Sequence, residues 1–165
     1  MKAIRIVTAI VLLSLCISVR ADDATAELDG LIVKYLEIVQ FVPILRQRLR
    51  EKAEIENRNA ILAAPDKDIV AAVVPVLRPY MKLEEARQLV GFFTSDTAAA
   101  ITREQLAGNR DFLASLTPEQ QEEFNRFTRS PGGDAAQRMA IAWRSPGFWE
   151  KVGASLKDLP GKGQE

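Results

Sequence analysis

The chain has 165 residues, 47% of them hydrophobic and 27% charged, which places it with single-domain globular proteins rather than disordered chains. Its 22 basic and 22 acidic residues cancel, so it lacks the basic excess of a nucleic-acid-binding protein, and we predict no nucleic-acid partner. It contains no histidine and one cysteine, Cys16, which argues against zinc sites and histidine catalysis, so we predict no metal and no cofactor.

The first 21 residues have the pattern of a secretory signal peptide. Lys2 and Arg5 give a positive start, and the run 6–19 is apolar except for three hydroxyl residues. Because a membrane-spanning helix needs about 20 apolar residues, this run is short for an uncleaved anchor, which is the alternative. We predict cleavage after Ala21, a periplasmic or secreted bacterial protein, and no stable membrane insertion after cleavage.

The residue types that remain after such cleavage argue against catalysis. Cys16 would leave with the signal peptide, and a serine nucleophile would lack the histidine base that normally activates it. The adjacent acids Glu84-Glu85 and Glu122-Glu123 would point to different faces of a helix, so neither pair has the spacing of a carboxylate dyad. We therefore predict that the protein is not an enzyme and has no catalytic residues.

Two helices are predicted in the first third of the remaining chain. Apolar residues at steps of three and four predict a helix over 28–42, with Pro43 as its boundary or kink. A second helix is predicted over 44–64, and its middle, 46–58, carries many charges of both signs. That middle is either a partner-binding face or, as we favour, a solvated face with ordinary i,i+4 ion pairs.

Three further helices are predicted in the centre of the chain. The first covers 66–80 and contains two prolines, which predict a kink or an early stop. The second covers 83–93 and begins with acidic residues, which are favoured at the positive end of a helix. The third covers 97–116 and is weakened near Gly108-Asn109.

Cap-and-proline pairs predict the starts of the last helices, because a hydroxyl residue caps the helix and proline fits its first position. The pairs are Thr117-Pro118, Ser130-Pro131 and Ser145-Pro146. No segment alternates as a strand does. We therefore predict an all-α fold, a compact multi-helix bundle of about six or seven helices, with one domain over 22–158 and a flexible tail over 159–165.

A short segment occurs three times, with aromatic residues at the end of one helix and a serine at the start of the next. The copies are Phe92-Phe93-Thr94-Ser95, Phe127-Thr128-Arg129-Ser130 and Ala142-Trp143-Arg144-Ser145. We predict a helix–corner–helix joint in which the serine oxygen accepts a hydrogen bond from an unpaired amide and the ring packs inside the corner.

The first copy is part of a longer segment that resembles a known family. Segment 83–95, LEEARQLVGFFTS, resembles the signature of domain-of-unknown-function family 2059, in which an acidic helix leads into a Phe-Tyr-x-Ser-Pro-x-Gly segment. Phe93 stands in place of the family's Tyr, Asp96 in place of its Pro, and Ala98 in place of its Gly. The resemblance covers about 66–140 and implies a bacterial, exported, helical domain, with no catalytic residues to carry over.

Aromatic residues form the candidate binding or packing surface. They are Phe92, Phe93, Phe127, Trp143 and Trp149. We predict a non-enzymatic module that binds an unknown protein or envelope component. One alternative is a carrier that holds a small apolar ligand between helices, and another is a carboxylate-based envelope hydrolase, which requires two inward-facing acids about 5–10 Å apart. For the two tryptophans, closure of the C-terminal core is the alternative to lining a pocket.

Overall fold

The computed structural model describes residues 22–51, 58–109 and 111–157, and all regular secondary structure in these ranges is helical. The all-α prediction is therefore confirmed for this part of the chain. Nine α-helices occur there, slightly more than the six or seven predicted. The predicted signal peptide and tail lie outside the described residues, as do residues 52–57 of the charged middle.

The helices follow one another with short connections. The chain is helical over 22–38 (α1), and the later helices are α2 Phe41–Glu51, α3 Arg58–Ala63, α4 Asp66–Leu77, α5 Leu83–Phe93, α6 Asp96–Leu106, α7 Pro118–Thr128, α8 Pro131–Arg144 and α9 Pro146–Ser155. Two 3-10 helices, Arg78–Tyr80 and Phe112–Ser115, follow α4 and α6. None of the helices in the described ranges is long and apolar enough to cross a bilayer.

One hydrophobic core joins helices from both halves of the chain. Its largest fully buried side chains include Ile32, Leu36, Phe41, Ile69, Leu77, Leu89, Met139 and Phe148. These residues come from α1, α2, α4, α5, α8 and α9, and α5 packs most extensively against α8. The core therefore depends on contacts between residues that are distant in sequence.

Two glycines at the start of α8 let that helix approach its neighbours. A Cβ atom on Gly132 would lie 2.6 Å from the Cβ of Gln88, and one on Gly133 would lie 2.3 Å from the carbonyl oxygen of Phe127. The Gly132 amide also donates a hydrogen bond of 3.0 Å to Oε1 of Gln88. Glycine is required at both positions because any side chain would collide with a neighbouring helix.

Most predicted caps are present. The Oγ of Ser95 accepts from the Ala98 amide at 3.3 Å, and the Oγ of Ser130 accepts from the Gly133 amide at 3.2 Å. Thr117 caps α7 as predicted, and Gln120 completes a capping box with it. These hydroxyl groups pair backbone amides that the first turn of a helix leaves without a partner.

The predicted cap at Ser145 is wrong. Its side chain forms no capping hydrogen bond, and the Phe148 amide donates to the Ser145 carbonyl oxygen instead. The indole N–H of Trp149 donates a hydrogen bond of 2.7 Å to the Trp143 carbonyl oxygen in the last turn of α8. An aromatic side chain, rather than a serine hydroxyl, therefore provides the side-chain hydrogen bond at this joint.

The predicted helix over 97–116 is too long, since α6 ends at Leu106. Gly108 has a φ of 78°, a left-handed conformation that glycine adopts without strain. The Asn109 amide donates to the carbonyl oxygen of Glu104 at 3.0 Å, as in a Schellman motif. The glycine therefore ends the helix completely, although we expected it only to weaken the helix.

The first predicted boundary is displaced by a few residues. The break falls at Val39 and Gln40, where Gln40 has a φ of 52°, and α2 already begins at Phe41. Pro43 lies in the first turn of α2, where its missing N–H costs no helical hydrogen bond. The early turn places Phe41 in the core, where its side chain is fully buried.

Candidate functional site

Three of the five candidate aromatic residues pack in one group. Phe92 and Phe127 stack with ring centroids 3.9 Å apart, and Phe93 meets Phe92 edge-on at 5.7 Å. Phe124 lies 6.2 Å from Phe92 and completes the group, which we call the phenylalanine corner. Its rings come from the C-terminal halves of α5 and α7, so the rings pair two joints with each other.

Trp143 and Trp149 form a separate group at the other end of α8. The rings of Phe41 and Trp149 are parallel, with centroids 6.1 Å apart, and the rings of Phe41 and Trp143 lie 5.8 Å apart. Both tryptophans are half-buried and pack against the hydrophobic core. The C-terminal aromatic residues therefore help to close the core while part of each ring reaches the surface.

Tyr35 of α1 connects the two groups. Its ring lies 5.9 Å from Phe93 and 6.5 Å from Trp143, and 6% of the residue is exposed. Burial raises the pKa of the Tyr35 phenol to about 12, because the charged form would lose its hydration. The five candidate residues are thus linked through one buried ring, but they do not form one surface.

A groove lies beside the tryptophans, between α2, α3, the end of α8, and α9. It has a volume of about 780 Å³, within the range of about 300–1,000 Å³ that is usual for small-molecule sites. We call it the tryptophan groove. Its apolar lining includes Leu45, Leu49, Ile61, Val152 and Leu156 together with the two tryptophans.

The polar residues that line the tryptophan groove are mainly basic. Arg48, Arg144 and Lys157 are exposed there, and Glu150 is the single carboxylate among the described lining residues. The guanidinium of Arg48 lies 4.6 Å from the centroid of the Trp149 ring, a cation–π geometry. Arg144 takes no part in the ion pairs found among the described residues.

The described lining residues of the groove include no pair of acids. Glu150 has no carboxylate neighbour among them, whereas the hydrolase alternative requires two acids. No group of three or more metal-ligating side chains occurs in the described ranges. The described lining groups can make apolar contacts with a ligand and can attract a negative charge.

A smaller pocket lies beside the phenylalanine corner. It has a volume of about 230 Å³ and is lined by Leu113, Ala114, Gln121, Phe124 and Asn125. Phe124 is the member of the corner that reaches it, whereas Phe92 and Phe127 cover each other. Phe92 is buried, whereas Phe93, Phe124 and Phe127 are half-buried, as the two tryptophans are.

The contribution of α2 to the tryptophan groove was not predicted from the sequence. Leu45 and Leu49 are spaced by four residues with Arg48 between them, and this pattern was the available signal. The face of α2 that we expected to be solvated has a structural role as well. Arg46 forms an ion pair of 2.7 Å with Asp66 and donates a hydrogen bond to the Ala64 carbonyl oxygen.

Comparison with known proteins identified no relative of this chain. No family model matches the sequence, and neither a curated protein nor a solved structure matches it. The resemblance to domain-of-unknown-function family 2059 therefore stays a prediction, carried by segment 83–95.

Proposed function

We propose that this protein is an exported, non-enzymatic binding module of the bacterial envelope whose ligand site is the tryptophan groove. The observation that carries the proposal is a groove of about 780 Å³ in which two half-buried tryptophans lie beside aliphatic side chains. Export rests on the signal-peptide pattern of residues 1–21.

The physical reason is the apolar surface of the two half-buried tryptophans. Leu45, Leu49 and Ile61 line the same groove but are almost fully buried, so they add little to this surface. A ligand that covered the rings would remove apolar area from water, which is favourable by roughly 25 cal/mol per Å². Indole rings are frequent binding anchors because they combine a large apolar face with a polar N–H.

Carriage of a small apolar ligand is a second candidate. The volume of the tryptophan groove favours it, because a small molecule fits a site of this size better than a folded protein does. The phenylalanine corner, which first motivated the idea, supports it less, since Phe92 is stacked on Phe127 and buried.

Native mass spectrometry of residues 22–165, purified from an envelope fraction, tests the proposal. Ala154 is exposed and lines the groove, so Ala154→Phe would place a ring in the binding space. Ala99 is an exposed alanine of α6 outside the groove, and Ala99→Phe is the matched control. We expect a bound mass on the wild type and on the control, and at least tenfold less on Ala154→Phe.

Two results would contradict the proposal. An equal bound mass on all three proteins would place the ligand outside the tryptophan groove. Turnover of a substrate by the purified chain, abolished by one substitution, would show that the protein is an enzyme.

A further inference from the structure

The described lining of the tryptophan groove combines half-buried tryptophan rings with an excess of positive charge. Among the described lining residues, Arg48, Arg144 and Lys157 are cationic, and Glu150 is the one carboxylate. This combination restricts the chemistry of a ligand more than the volume alone does. A purely apolar ligand would offer no negative charge to Arg144, and a purely polar anion would leave the tryptophan rings in contact with water.

We infer that the tryptophan groove binds a single-chain amphiphile with an anionic headgroup. The inference rests on the proposed function, because it names the ligand class of the same site. The hydrocarbon chain would pack against the exposed parts of the tryptophan rings, and the headgroup would pair with Arg48 or Arg144. Carboxylate and phosphate are the two headgroups that a guanidinium binds through two parallel hydrogen bonds.

The two arginines are suited to a headgroup for different reasons. Arg144 is exposed and belongs to none of the ion pairs among the described residues, so a ligand anion would not have to displace a carboxylate. Arg48 is held over the Trp149 ring at 4.6 Å. A guanidinium that is already positioned loses less conformational entropy when it binds an anion.

The charge also argues against the chain's own apolar segment as the occupant. The run 6–19 is flanked by Lys2, Arg5 and Arg20, which carry the same sign as the lining of the groove. Like charges brought together in a partly desolvated site are unfavourable. An amphiphile of the opposite charge meets no such repulsion.

The intrinsic fluorescence of the two tryptophans can be used to measure binding. The sequence has two tryptophans, and both line the groove, so intrinsic fluorescence reports on the site. The chain 22–165 is titrated with four probes of equal chain length, each below its critical micelle concentration or, for the neutral alcohol, below its solubility limit. The probes are dodecanoate, dodecyl phosphate, dodecyltrimethylammonium and dodecanol.

We expect at least one of the two anionic probes to shift the tryptophan emission to shorter wavelength. The Kd of that probe should be at least tenfold lower than the Kd of the cationic or the neutral probe. The two anions distinguish the sources of the headgroup, since preference for dodecanoate indicates a fatty acid and preference for dodecyl phosphate indicates a phosphate-headed lipid. Arg144→Glu should weaken binding of the preferred anion at least tenfold. Arg103→Glu makes the same charge change on an exposed residue of α6 outside the groove, and it should leave the Kd unchanged.

The failures of the two proposals are distinguishable. Equal affinity for anionic, cationic and neutral probes in the wild type, reduced by Ala154→Phe, would overturn the anionic headgroup and keep the groove as the site. Equal affinity of the wild type and Ala154→Phe for every probe would overturn both. A blue shift with an acidic amphipathic peptide but with none of the four probes would overturn the amphiphile and favour a protein partner.

Discussion

The phenylalanine corner and the joint between α8 and α9 contain copies of the same short segment, but their aromatic side chains pack differently. At the corner, Ser130 caps α8 through its hydroxyl group, and Phe127 stacks on Phe92. At the joint, Ser145 forms no side-chain cap, and Trp149 donates its indole N–H to the end of α8. Phenylalanine has no polar atom and packs among other rings, whereas the indole N–H of Trp149 pairs with a carbonyl oxygen.

The comparison separates the buried ring of Phe92 from the half-buried rings of the two tryptophans. Phe92 is 8% exposed and contacts three other rings. Trp143 and Trp149 are half-buried beside an open groove. Stability and binding should therefore respond differently to substitutions in the two regions.

Removal of a ring from the phenylalanine corner should have the largest effect on stability. Phe92→Ala deletes a buried ring that is stacked at 3.9 Å, and we expect a loss of about 3–5 kcal/mol in the free energy of unfolding. Trp149→Ala should cost clearly less, because part of its ring is already in water. Urea unfolding followed by circular dichroism measures both, and a larger loss for Trp149→Ala would contradict the comparison.

Tyr35 contacts rings of both regions, and its ionisation tests whether the core between them stays dry. An unfolded tyrosine ionises near pH 10, whereas the buried phenol has a pKa of about 12. Between these values the unfolded chain releases its proton first, so stability falls as the pH rises. The loss should reach about 2–3 kcal/mol near pH 12.

Tyr35→Phe isolates this contribution, because it removes the ionisable group and keeps the ring. The difference in free energy of unfolding between the variant and the wild type should grow in favour of the variant from pH 9 to pH 12. A constant difference over that range would show that the Tyr35 phenol is accessible to water in the folded protein.

The close approach of α8 to the phenylalanine corner depends on glycine. Gly133→Ala would place a Cβ atom 2.3 Å from the Phe127 carbonyl oxygen, and we expect a loss of about 1–3 kcal/mol in the free energy of unfolding. Gly91 is the matched control, since a Cβ atom there has no neighbour within 4 Å. Gly91→Ala should be neutral or stabilising, by up to about 1 kcal/mol, because alanine favours the helix. Similar losses for both variants would contradict the close approach.

Much of the helical order was predictable because local signals determine it. The cap at Thr117 and the boundaries of α5 follow from residues adjacent in sequence, and both predictions are confirmed. The missing cap at Ser145 was not predictable from the segment 142–145. It depends on how the Trp149 side chain returns to the end of α8.

The candidate site was predictable only in part, for a related reason. Trp143 and Trp149 are conspicuous in the sequence, and their proximity follows from the short α8–α9 connection. Leu45 and Ile61 come from helices about 100 residues earlier in the chain, and no local pattern indicates that they face the tryptophans. The separation of the phenylalanines from the tryptophans likewise depends on tertiary packing.

The smallest effect we predict concerns the pair Glu85–Arg138, which joins α5, the helix of Phe92, to α8, the helix of Trp143. Burial by itself would raise the pKa of Glu85. Hydrogen bonds from the Lys82 amide at 2.8 Å and from Arg138 at 2.6 Å outweigh burial, so the pKa is lowered. A lowered carboxylate pKa stabilises the fold above the unfolded pKa, and this stability is lost as the pH falls through the folded pKa.

Glu85→Gln should therefore reduce the free energy of unfolding at pH 7 by up to about 1 kcal/mol, as expected for a partly exposed ion pair. The difference from the wild type should shrink as the pH falls through the folded pKa of Glu85, where the wild-type carboxylate also becomes neutral. Glu84→Gln is the control, since that side chain is 65% exposed and pairs with Arg87 at 3.3 Å. If the loss caused by Glu85→Gln stayed the same as the pH fell from 7 through that pKa, the effect would come from lost packing, and the ion pair would not hold α5 to α8.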